Sequence, residues 1–265
     1  METINRTRPA FGLWSSLDST AVARVLGRAG FDYVCLDLQH GLADMANLHA
    51  LATSVRAGGA RCVVRVPWNR PEHLMRALDL GAQSVIVPMV DTVEQAAAAA
   101  AACHFLSGGA RSWGPLWAAD AVDPEQADTD VQCFVMIETA AALDVVEDIA
   151  AVPGLAGIYI GPNDLALSTG FGRATYRAEP KITAMLDRII AACDANGIVA
   201  GLHCDSVEMA QHWSARGATM LTCATDTALL EGGLRDELAR TAVAFSAEGG
   251  SSTASADVAA APSER

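Results

Sequence analysis

Hydrophobic and polar positions along the chain form short apolar runs that alternate with longer segments of helical periodicity. Short apolar runs bounded by turn residues are typical of strands buried on both faces. Eight runs are predicted as strands: Phe11–Ser15, Tyr33–Asp37, Arg61–Val66, Ser84–Val87, Cys133–Ile137, Gly157–Ile160, Val199–His203 and Thr219–Cys223. The amphipathic or alanine-rich segments between them are predicted as helices: Thr20–Arg28, Met45–Arg56, Pro71–Leu80, Val93–Phe105, Ala140–Ala150, Lys181–Asn196, Val207–Arg216 and Thr227–Phe245.

This alternation predicts an α/β protein with a parallel sheet. Eight consecutive units favour a closed (β/α)8 TIM barrel, and residues 1–247 are predicted to form this one domain. The alternative is an open doubly wound sheet. That fold would need a glycine-rich phosphate loop after the first strand, where the sequence reads Ser15-Ser16-Leu17-Asp18. Glycines that end helices in a left-handed conformation are expected where the chain returns to a strand: Gly30, Gly81, Gly154, Gly197 and Gly217.

Three segments depart from the regular alternation. Two long connections, Gly108–Val131 and Ala166–Pro180, are predicted to be lids, because long connections in a compact barrel are often functional. The end of the chain, residues 248–265, is small, polar and low in complexity. It is predicted to be a disordered tail.

Composition narrows the class of protein. At 265 residues with 51% hydrophobic content, the chain can bury a large core. A formal charge of −13 argues against nucleic acid and anionic membrane as partners. The start of the chain is polar, and no apolar stretch approaches the ~18 residues that a membrane span needs. A soluble, cytoplasmic protein is therefore predicted. Its seven cysteines include no CxxC pair, so neither a zinc ribbon nor a redox pair is indicated.

Polar side chains cluster where the predicted strands end. In a (β/α)8 barrel the active site forms at the carboxyl ends of the strands. The residues found there are Trp14, Asp37, Gln39, His40, Arg65, Glu138 and Asp164. The opposite ends carry mostly apolar and small residues, which makes this end the predicted site.

Two carboxylates follow consecutive strands. Glu138 closes the run Cys133–Ile137, and Asp164 follows the next strand in Gly161-Pro162-Asn163-Asp164. Neighbouring parallel strands lie about 4.8 Å apart, so both groups can reach one ion. Two carboxylates with water and ligand oxygens suit Mg2+ or Mn2+, with Co2+ and Zn2+ as alternatives. The competing interpretation is a helix N-cap for Asp164 and a solvated first-turn acid for Glu138.

Arg65 and His40 are the candidate catalytic side chains. Arg65 lies inside the β-branched run Val63–Val66, where a charge is costly to bury unless it meets an anion. It is predicted to face a substrate oxyanion or carboxylate, and the alternative is a structural salt bridge to Asp37. His40 precedes Gly41 at a strand end, a position suited to proton transfer. The other histidines are interpreted as structural: His49, His73, His104, His203 and His212.

The lysine content discriminates between ways of stabilising a carbanion next to a carbonyl. Stabilising a carbanion next to a carbonyl needs a lysine Schiff base, a metal or an organic cofactor. Lys181 is the only lysine and is placed at the start of a predicted helix, far from any strand end. The metal route through the two carboxylates is therefore favoured.

These motifs resemble the HpcH/HpaI aldolase family of metal-dependent pyruvate aldolases. The resemblance runs from Phe11-Gly12-Leu13-Trp14 to Asp226-Thr227-Ala228-Leu229-Leu230. It is carried by AGFDYVCLDLQHG (Ala29–Gly41), VVRVPWN (Val63–Asn69), ALDLGAQSVIVPMV (Ala77–Val90), MIET (Met136–Thr139) and IGPNDL (Ile160–Leu165). It implies a (β/α)8 barrel, and hexamers in which a C-terminal helix is exchanged between subunits.

The resemblance also implies roles for individual residues. Glu138 and Asp164 would bind the divalent ion, which pyruvate chelates. His40 would be the acid and base, and Arg65 would stabilise the enolate oxygen. Asp79 would reach His40 from a neighbouring subunit.

Further residues are implied to contact or support the substrate. The backbone at Asn163 would contact the pyruvate carboxylate, and Trp14, Met136, Gly161 and Pro162 are predicted to line the same site. Asp37 and Gln39 are predicted to contact these residues and hold them in position without touching the substrate.

Three positions depart from the family pattern. Met136 stands where glutamine is common, Gln39 stands where an acid is common, and Gly109-Ala110-Arg111-Ser112 replaces Gly-x-Arg-Gly. The substrate range is therefore left open.

The predicted function is a reversible aldol reaction between pyruvate or hydroxypyruvate and an aldehyde, catalysed by a metal-dependent homo-oligomer. One alternative is a CoA-thioester lyase of the citrate lyase beta or malyl-CoA lyase type. That enzyme would need basic residues for the CoA phosphates, and this chain offers Lys181 and scattered arginines. The other alternative is a non-catalytic barrel that binds a metal or a sugar acid.

Overall fold

A computed structural model describes residues 3–106, 108–114, 123–172 and 179–248. Its strands form one closed parallel barrel in the order β1 to β8, which confirms the predicted fold over the open sheet. The strands are β1 Ala10–Ser15, β2 Tyr33–Asp37, β3 Arg61–Arg65, β4 Ser84–Val87, β5 Gln132–Ile137, β6 Gly157–Ile160, β7 Val199–His203 and β8 Met220–Thr225. The order of strands along the chain is also their order around the barrel.

Helices connect the strands on the outside of the barrel. Through the first half these are α1 Thr20–Gly27, α2 Leu48–Gly58, α3 Pro71–Asp79, α4 Val93–Cys103 and α5 Pro124–Asp130. The second half contains α6 Ala140–Asp144, α7 Val146–Ala150, α8 Pro162–Ser168, α9 Pro180–Ala195 and α10 Val207–Ser214. The last strand is followed in the chain by α11 Asp226–Glu248.

Most predicted helices differ from the observed ones by one to three residues at an end, and two of the differences have a visible cause or divide a helix. The predicted start of the second helix at Met45 is wrong, because side chains of Asp44 and Asn47 bind the backbone there instead. Asp44 Oδ1 accepts hydrogen bonds from the backbone of Ala46 (2.8 Å) and Asn47 (3.1 Å), a local turn that delays helix formation to Leu48. The predicted helix Ala140–Ala150 is broken at Val145 into α6 and α7.

The two long connections contain helices that the sequence did not predict. Helix α5 lies in the first connection, and α8 begins directly after β6 and runs into the second. Residues 115–122 and 173–178 of these connections lie outside the described residues, as does the predicted tail beyond residue 248. The lids and the tail therefore stay predictions.

The five predicted glycines lie two to four residues after the last residue of a helix. All five glycines have positive φ, for example 109° at Gly81 and 107° at Gly217. Because a side chain disfavours this conformation, glycine allows the chain to leave the helix and enter the next strand.

The strand register divides the core into two layers. One apolar cluster fills the barrel interior and includes Trp14, Tyr33, Val63, Phe134 and Tyr159. The other cluster packs the outward-facing strand residues against the helices. Alternate residues of a strand face opposite sides, so each strand contributes its inward residues at a spacing of two.

The amino-terminal end of the barrel is closed by polar contacts. The backbone N–H of Ile4 donates to Gln132 Oε1 (2.9 Å), and Gln132 Nε2 donates to the carbonyl of Ile4 (2.7 Å). Buried Arg61 donates to Ser84 Oγ nearby (2.8 Å). The inward side chains at the opposite, carboxyl ends of the strands are left to form a site.

The chain divides into two compact units, one ending at Thr227 and one beginning at Ala228. The described part of the second unit belongs to α11, whose large apolar side chains are exposed: Leu229, Leu230, Leu234, Leu238, Val243 and Phe245. Among the described residues, no helix combines the length and the apolar character needed to cross a membrane.

Candidate active site

A cavity of about 200 Å³ opens at the carboxyl ends of the strands. It is lined by Trp14, His40, Arg65, Met136, Tyr159, Gly161, Pro162, Asn163, Asp164 and His203. Eight of these ten residues are among the predicted site residues. They lie on, or directly after, five different strands of the barrel. The structure thus brings most of the predicted site into one place.

The period of two along the strands explains which residues meet here. Trp14 lies one register step inside the end of β1, and Arg65 ends β3 opposite Asp37 of β2. Glu138 and Gly161 each stand two residues beyond an inward-facing residue, Met136 of β5 and Tyr159 of β6. At the carboxyl end of each of these strands an inward-facing residue therefore reaches the cavity.

Arg65, Asp37 and Trp14 form a buried polar network on one side of the cavity. Arg65 Nε donates to Asp37 Oδ1 (2.9 Å), and Nη2 donates to Oδ2 (2.6 Å). Trp14 Nε1 donates to Asp37 Oδ2 (3.1 Å), while the guanidinium lies 4.9 Å from the Trp14 ring centre. The ion pair named as an alternative for Arg65 is therefore present. It still leaves Nη1 without a hydrogen bond to any described residue, so the same side chain can bind a ligand.

Asp37 also fixes the turn that carries His40. Its Oδ1 accepts the backbone N–H groups of Gln39 (3.0 Å) and His40 (3.2 Å). Burial alone would raise the pKa of Asp37, but the guanidinium of Arg65 and the indole of Trp14 outweigh it and hold the pKa below its usual range. An ionised Asp37 keeps both Arg65 and the His40 turn in place. Gln39 lies behind this turn, and its buried Oε1 has no partner among the described residues.

Glu138 is buried beside the cavity, at 3% exposure. Its Oε1 accepts the backbone N–H of Met89 at 2.7 Å. A Cβ atom at Gly161 would lie 2.7 Å from Oε2, so only glycine at this position leaves room for the carboxylate. Glu138 is therefore not the solvated first-turn acid considered as an alternative.

The loop after β4 holds Glu138 from the other side. Met89 has φ of 55°, the one positive value among described residues other than glycine. This left-handed conformation is costly for a side chain of its size, and such strain is commonly kept where it serves a site. Thr139 Oγ1 donates to Asp91 Oδ1 (2.5 Å), which ties the same loop to the residue after Glu138.

Asp164 lies in the first turn of α8 and is exposed. The N-cap of α8 is Gly161, so the alternative in which Asp164 caps this helix does not hold. Burial raises the pKa of Glu138, the Met89 N–H opposes this, and the charge of Asp164 raises it further. A cation held between the two carboxylates would offset this effect of Asp164 on Glu138.

The donor set fits a hard divalent cation. Two carboxylates offer oxygen ligands of the type that Mg2+ and Mn2+ prefer. Among the described residues no three His, Cys, Asp or Glu side chains group together as a metal site. An ion held by Glu138 and Asp164 would therefore keep positions for water and substrate oxygens, which is the arrangement of a catalytic site.

His203 and Tyr159 line the cavity without having been assigned to it from the sequence. His203 had been interpreted as structural, yet it ends β7 and faces the cavity, with its ring 5.2 Å from that of Trp14. A signal was present in the sequence: in Val199–His203 the inward residues are Val199, Gly201 and His203. The period of two predicts a polar inward residue at the strand end there, as it does for Arg65.

Asp79 lies outside the cavity. It ends α3 and accepts a hydrogen bond from Arg111 Nη2 (2.9 Å), within the same chain. The strands run from the α3 end toward the cavity, so this chain's own His40 is at the opposite end of the barrel. A contact between Asp79 and His40 would need a second subunit.

Lys181 is also outside the cavity. It is exposed in the first turn of α9, as its position in the sequence predicted. The cavity lining contains no lysine, and Arg65 is its only described cation besides the histidines.

The comparisons with known proteins match this chain to one family and to aldolases. A family model described as HpcH/HpaI aldolase/citrate lyase matches residues 10–231, which span the whole barrel. A 2-dehydro-3,6-dideoxy-6-sulfogluconate aldolase from Pseudomonas putida is 34% identical over 86% of this chain and 90% of its own length. A hydroxypyruvate/pyruvate aldolase from Rhizorhabdus wittichii is 33% identical over 89% of this chain and 95% of its own.

A solved structure agrees with these relatives. An HpcH/HpaI aldolase/citrate lyase family protein from Burkholderia cenocepacia superimposes with a TM-score of 0.83 at 29% identity. The match covers 89% of this chain and 96% of that one.

Proposed function

Because this chain belongs to the HpcH/HpaI aldolase/citrate lyase family, we propose that its cavity catalyses a reversible aldol reaction of pyruvate or hydroxypyruvate with an aldehyde. The family and the aldolase class of enzyme, both predicted from the sequence motifs, are confirmed. The proposal concerns the 2-oxo acid donor and the residues that carry the reaction.

One observation carries the proposal. The cavity is lined by Asp164, Arg65 and His40, and the buried carboxylate of Glu138 lies beside it, within the electrostatic influence of Asp164 and Arg65. An aldol reaction at a 2-oxo acid requires these capacities: a place for an electron sink, a cation for the developing enolate oxygen and a group that moves a proton.

A divalent ion bound by Glu138 and Asp164 would withdraw electrons from the C2 carbonyl of the donor. Mg2+ or Mn2+ suits the two carboxylates, and Co2+ or Zn2+ is an alternative. The Met89 N–H and the space at Gly161 hold Glu138 ready for this role before any ion arrives. Binding then costs little reorganisation of the protein.

The side chains of the cavity perform the remaining steps. Arg65, fixed by Asp37, directs Nη1 to the oxygen that gains negative charge as the enolate forms. His40 removes the C3 proton of the donor and returns a proton to the aldehyde oxygen, which becomes the new hydroxyl group. Cleavage of a 4-hydroxy-2-oxo acid follows the same steps in reverse. Trp14, Met136, Pro162 and the backbone at Asn163 surround the donor and restrict its orientation.

The cavity favours this reaction over cleavage of a CoA thioester. A CoA lyase must bind several phosphate groups, which calls for multiple cations near the entrance. Within the described lining Arg65 is the cation, and Asp37 already neutralises it. A non-catalytic barrel would have no need for an exposed histidine beside the carboxylates.

The electron sink can be tested directly in an aldol cleavage assay. We expect EDTA to abolish activity and a divalent ion to restore it, since the cavity lining contains no lysine for a Schiff base. Borohydride added together with pyruvate should have no effect. Irreversible inactivation by borohydride would contradict the metal route, because reduction traps only a Schiff base.

We further propose that the active site is completed in a homo-oligomer, a hexamer as in resembling proteins. Six large apolar side chains of α11 are exposed, which is expected of a helix that packs against or exchanges with a neighbouring subunit. Asp79 of one subunit would then approach His40 of the next and orient its imidazole. The Arg111 ion pair would hold Asp79 in position at the surface.

Hybrid oligomers test the role of Asp79. Asp79→Asn and His40→Ala subunits should each be nearly inactive when assembled alone. After the two are unfolded and reassembled together, some interfaces pair an intact Asp79 with an intact His40, so part of the activity should return. Oligomers reassembled from each variant separately provide the control. A fully active monomer, or scrambled hybrids without regained activity, would return Asp79 to the role of a surface acid.

A further inference from the structure

The cavity wall formed by residues of β1, β6 and β7 carries a polar side chain that the proposed reaction does not use. His203 lines this wall together with Trp14 and Tyr159. It stands on a different strand from Arg65 on β3 and from the two acids that follow β5 and β6. If the metal and Arg65 bind the 2-oxo acid group, the part of the substrate that faces His203 is the part that differs between substrates.

The other polar groups on this wall are already engaged by the protein. The Tyr159 hydroxyl is hydrogen-bonded to Thr222 Oγ1 (2.6 Å), which also bonds Tyr33 (3.0 Å). Trp14 Nε1 donates to Asp37. The His203 ring contacts Trp14 edge-on, at an angle of 83° between the rings. In the part of the chain that the structure describes, this imidazole forms no hydrogen bond, so its nitrogens are left for a ligand.

The charge of His203 selects the chemistry of that ligand. Burial, together with the nearby charge of Arg65, lowers the pKa of His203 to about 4 against the opposing effect of Asp37. At neutral pH the ring is therefore uncharged, with one nitrogen that donates and one that accepts. A hydroxyl group, which also donates and accepts, matches this pair. A carboxylate or phosphate is a poorer partner, because it needs donors or positive charge.

We propose that His203 is a specificity-determining residue that hydrogen-bonds a neutral hydroxyl group of the substrate. The inference rests on the proposed aldol function and names the substrate class within it. The hydroxyl group belongs either to the donor, as in hydroxypyruvate, or to the acceptor, as in glycolaldehyde. Both sources present the same group to the imidazole, and the experiment separates them.

The experiment compares ratios of kcat/KM in two arms. The donor arm compares hydroxypyruvate with pyruvate against one fixed acceptor, and the acceptor arm compares glycolaldehyde with acetaldehyde against pyruvate. His203→Phe keeps an aromatic ring against Trp14 but removes both nitrogens. His203→Gln keeps a neutral donor and acceptor and serves as the matched control. His203→Leu is a second apolar variant in case the Phe variant does not fold, and thermal melting checks each one.

In the apolar variants we expect the ratio of hydroxylated to unsubstituted substrate to fall about 10-fold in one arm, the effect of one neutral hydrogen bond. The other arm should stay within about twofold of the wild type, and His203→Gln should restore most of the loss. The arm that changes identifies which substrate carries the hydroxyl group.

Three results would overturn the proposal: unchanged ratios in both arms, an equal fall for all four substrates, or a fall that glutamine does not restore. The last two would show that His203 supports the site without recognising a hydroxyl group of the substrate. A wild-type protein without metal-dependent aldol activity on any of these substrates would instead contradict the proposed function itself. The two failures are therefore distinguishable.

Discussion

Replacing Glu138 with glutamine is expected to lower metal affinity more than about 100-fold and to remove aldol activity at ordinary metal concentrations. Changes to residues that merely support a metal ligand typically cost 10- to 100-fold, and a direct ligand should cost more. Glutamine has the size of glutamate, so the Met89 N–H bond and the fit against Gly161 can persist. The loss would then come from the missing negative charge. Titration calorimetry with Mn2+ measures the affinity without relying on turnover.

Glu147→Gln is the matched control for this variant. Glu147 lies on α7, outside the cavity, and pairs with exposed Arg188. The Glu147→Gln variant loses the same charge as Glu138→Gln. It should fold normally, because exposed ion pairs of this kind contribute about 0–1 kcal/mol to stability. Glu138→Gln with the metal affinity of the Glu147 control would remove Glu138 from the metal site.

Replacing His40 with alanine is expected to lower the rate of aldol cleavage about 10²- to 10⁴-fold, the usual contribution of a positioned acid or base. Metal affinity should stay near that of the wild type, because the proposed ligands follow β5 and β6 while His40 follows β2. The two variants would thus separate proton transfer from metal binding. Single-turnover cleavage together with calorimetry on the same sample gives both quantities.

His212→Ala provides the comparison for His40. His212 is exposed on α10 and does not line the cavity. A His40 variant that cleaves substrate as fast as the His212 variant would show that His40 has no part in proton transfer.

The sequence predicted the barrel because its strand signals depend on local pattern alone. Each strand lies within one residue of its prediction except β8, which extends two residues further than Cys223. Helix boundaries depended on side-chain contacts with the backbone that periodicity does not encode. The turn at Asp44 and Asn47 is of this kind.

The site was predictable where chemistry and strand position coincided. Glu138, Arg65 and Trp14 are unusual residues at the ends of apolar strands; Arg65 and Trp14 line the cavity, and Glu138 lies beside it. His203 satisfied the same criterion and was set aside only because most other histidines fall in or beside helices. Applying the period of two to every strand would have included it.

Other features of the site could not be predicted from one sequence. The left-handed conformation of Met89 belongs to a residue type with no preference for it, and its bond to Glu138 joins loops far apart in the chain. Sequence patterns likewise do not predict that Asp79 pairs with Arg111. The ion pair with Arg111 depends on how a long connection folds back on α3.

The most direct test of the central claim is deuterium exchange at C3 of pyruvate, measured by mass spectrometry without any aldehyde present. Formation of the enolate in this cavity should exchange the C3 protons only when a divalent ion is bound. Exchange should fall to the rate in buffer after EDTA treatment, return with Mg2+ or Mn2+, and remain absent in Glu138→Gln. Two results would contradict a metal-dependent 2-oxo acid aldolase. One is exchange that is equally fast in the EDTA-treated protein, and the other is an absence of exchange with each of Mg2+, Mn2+, Co2+ and Zn2+.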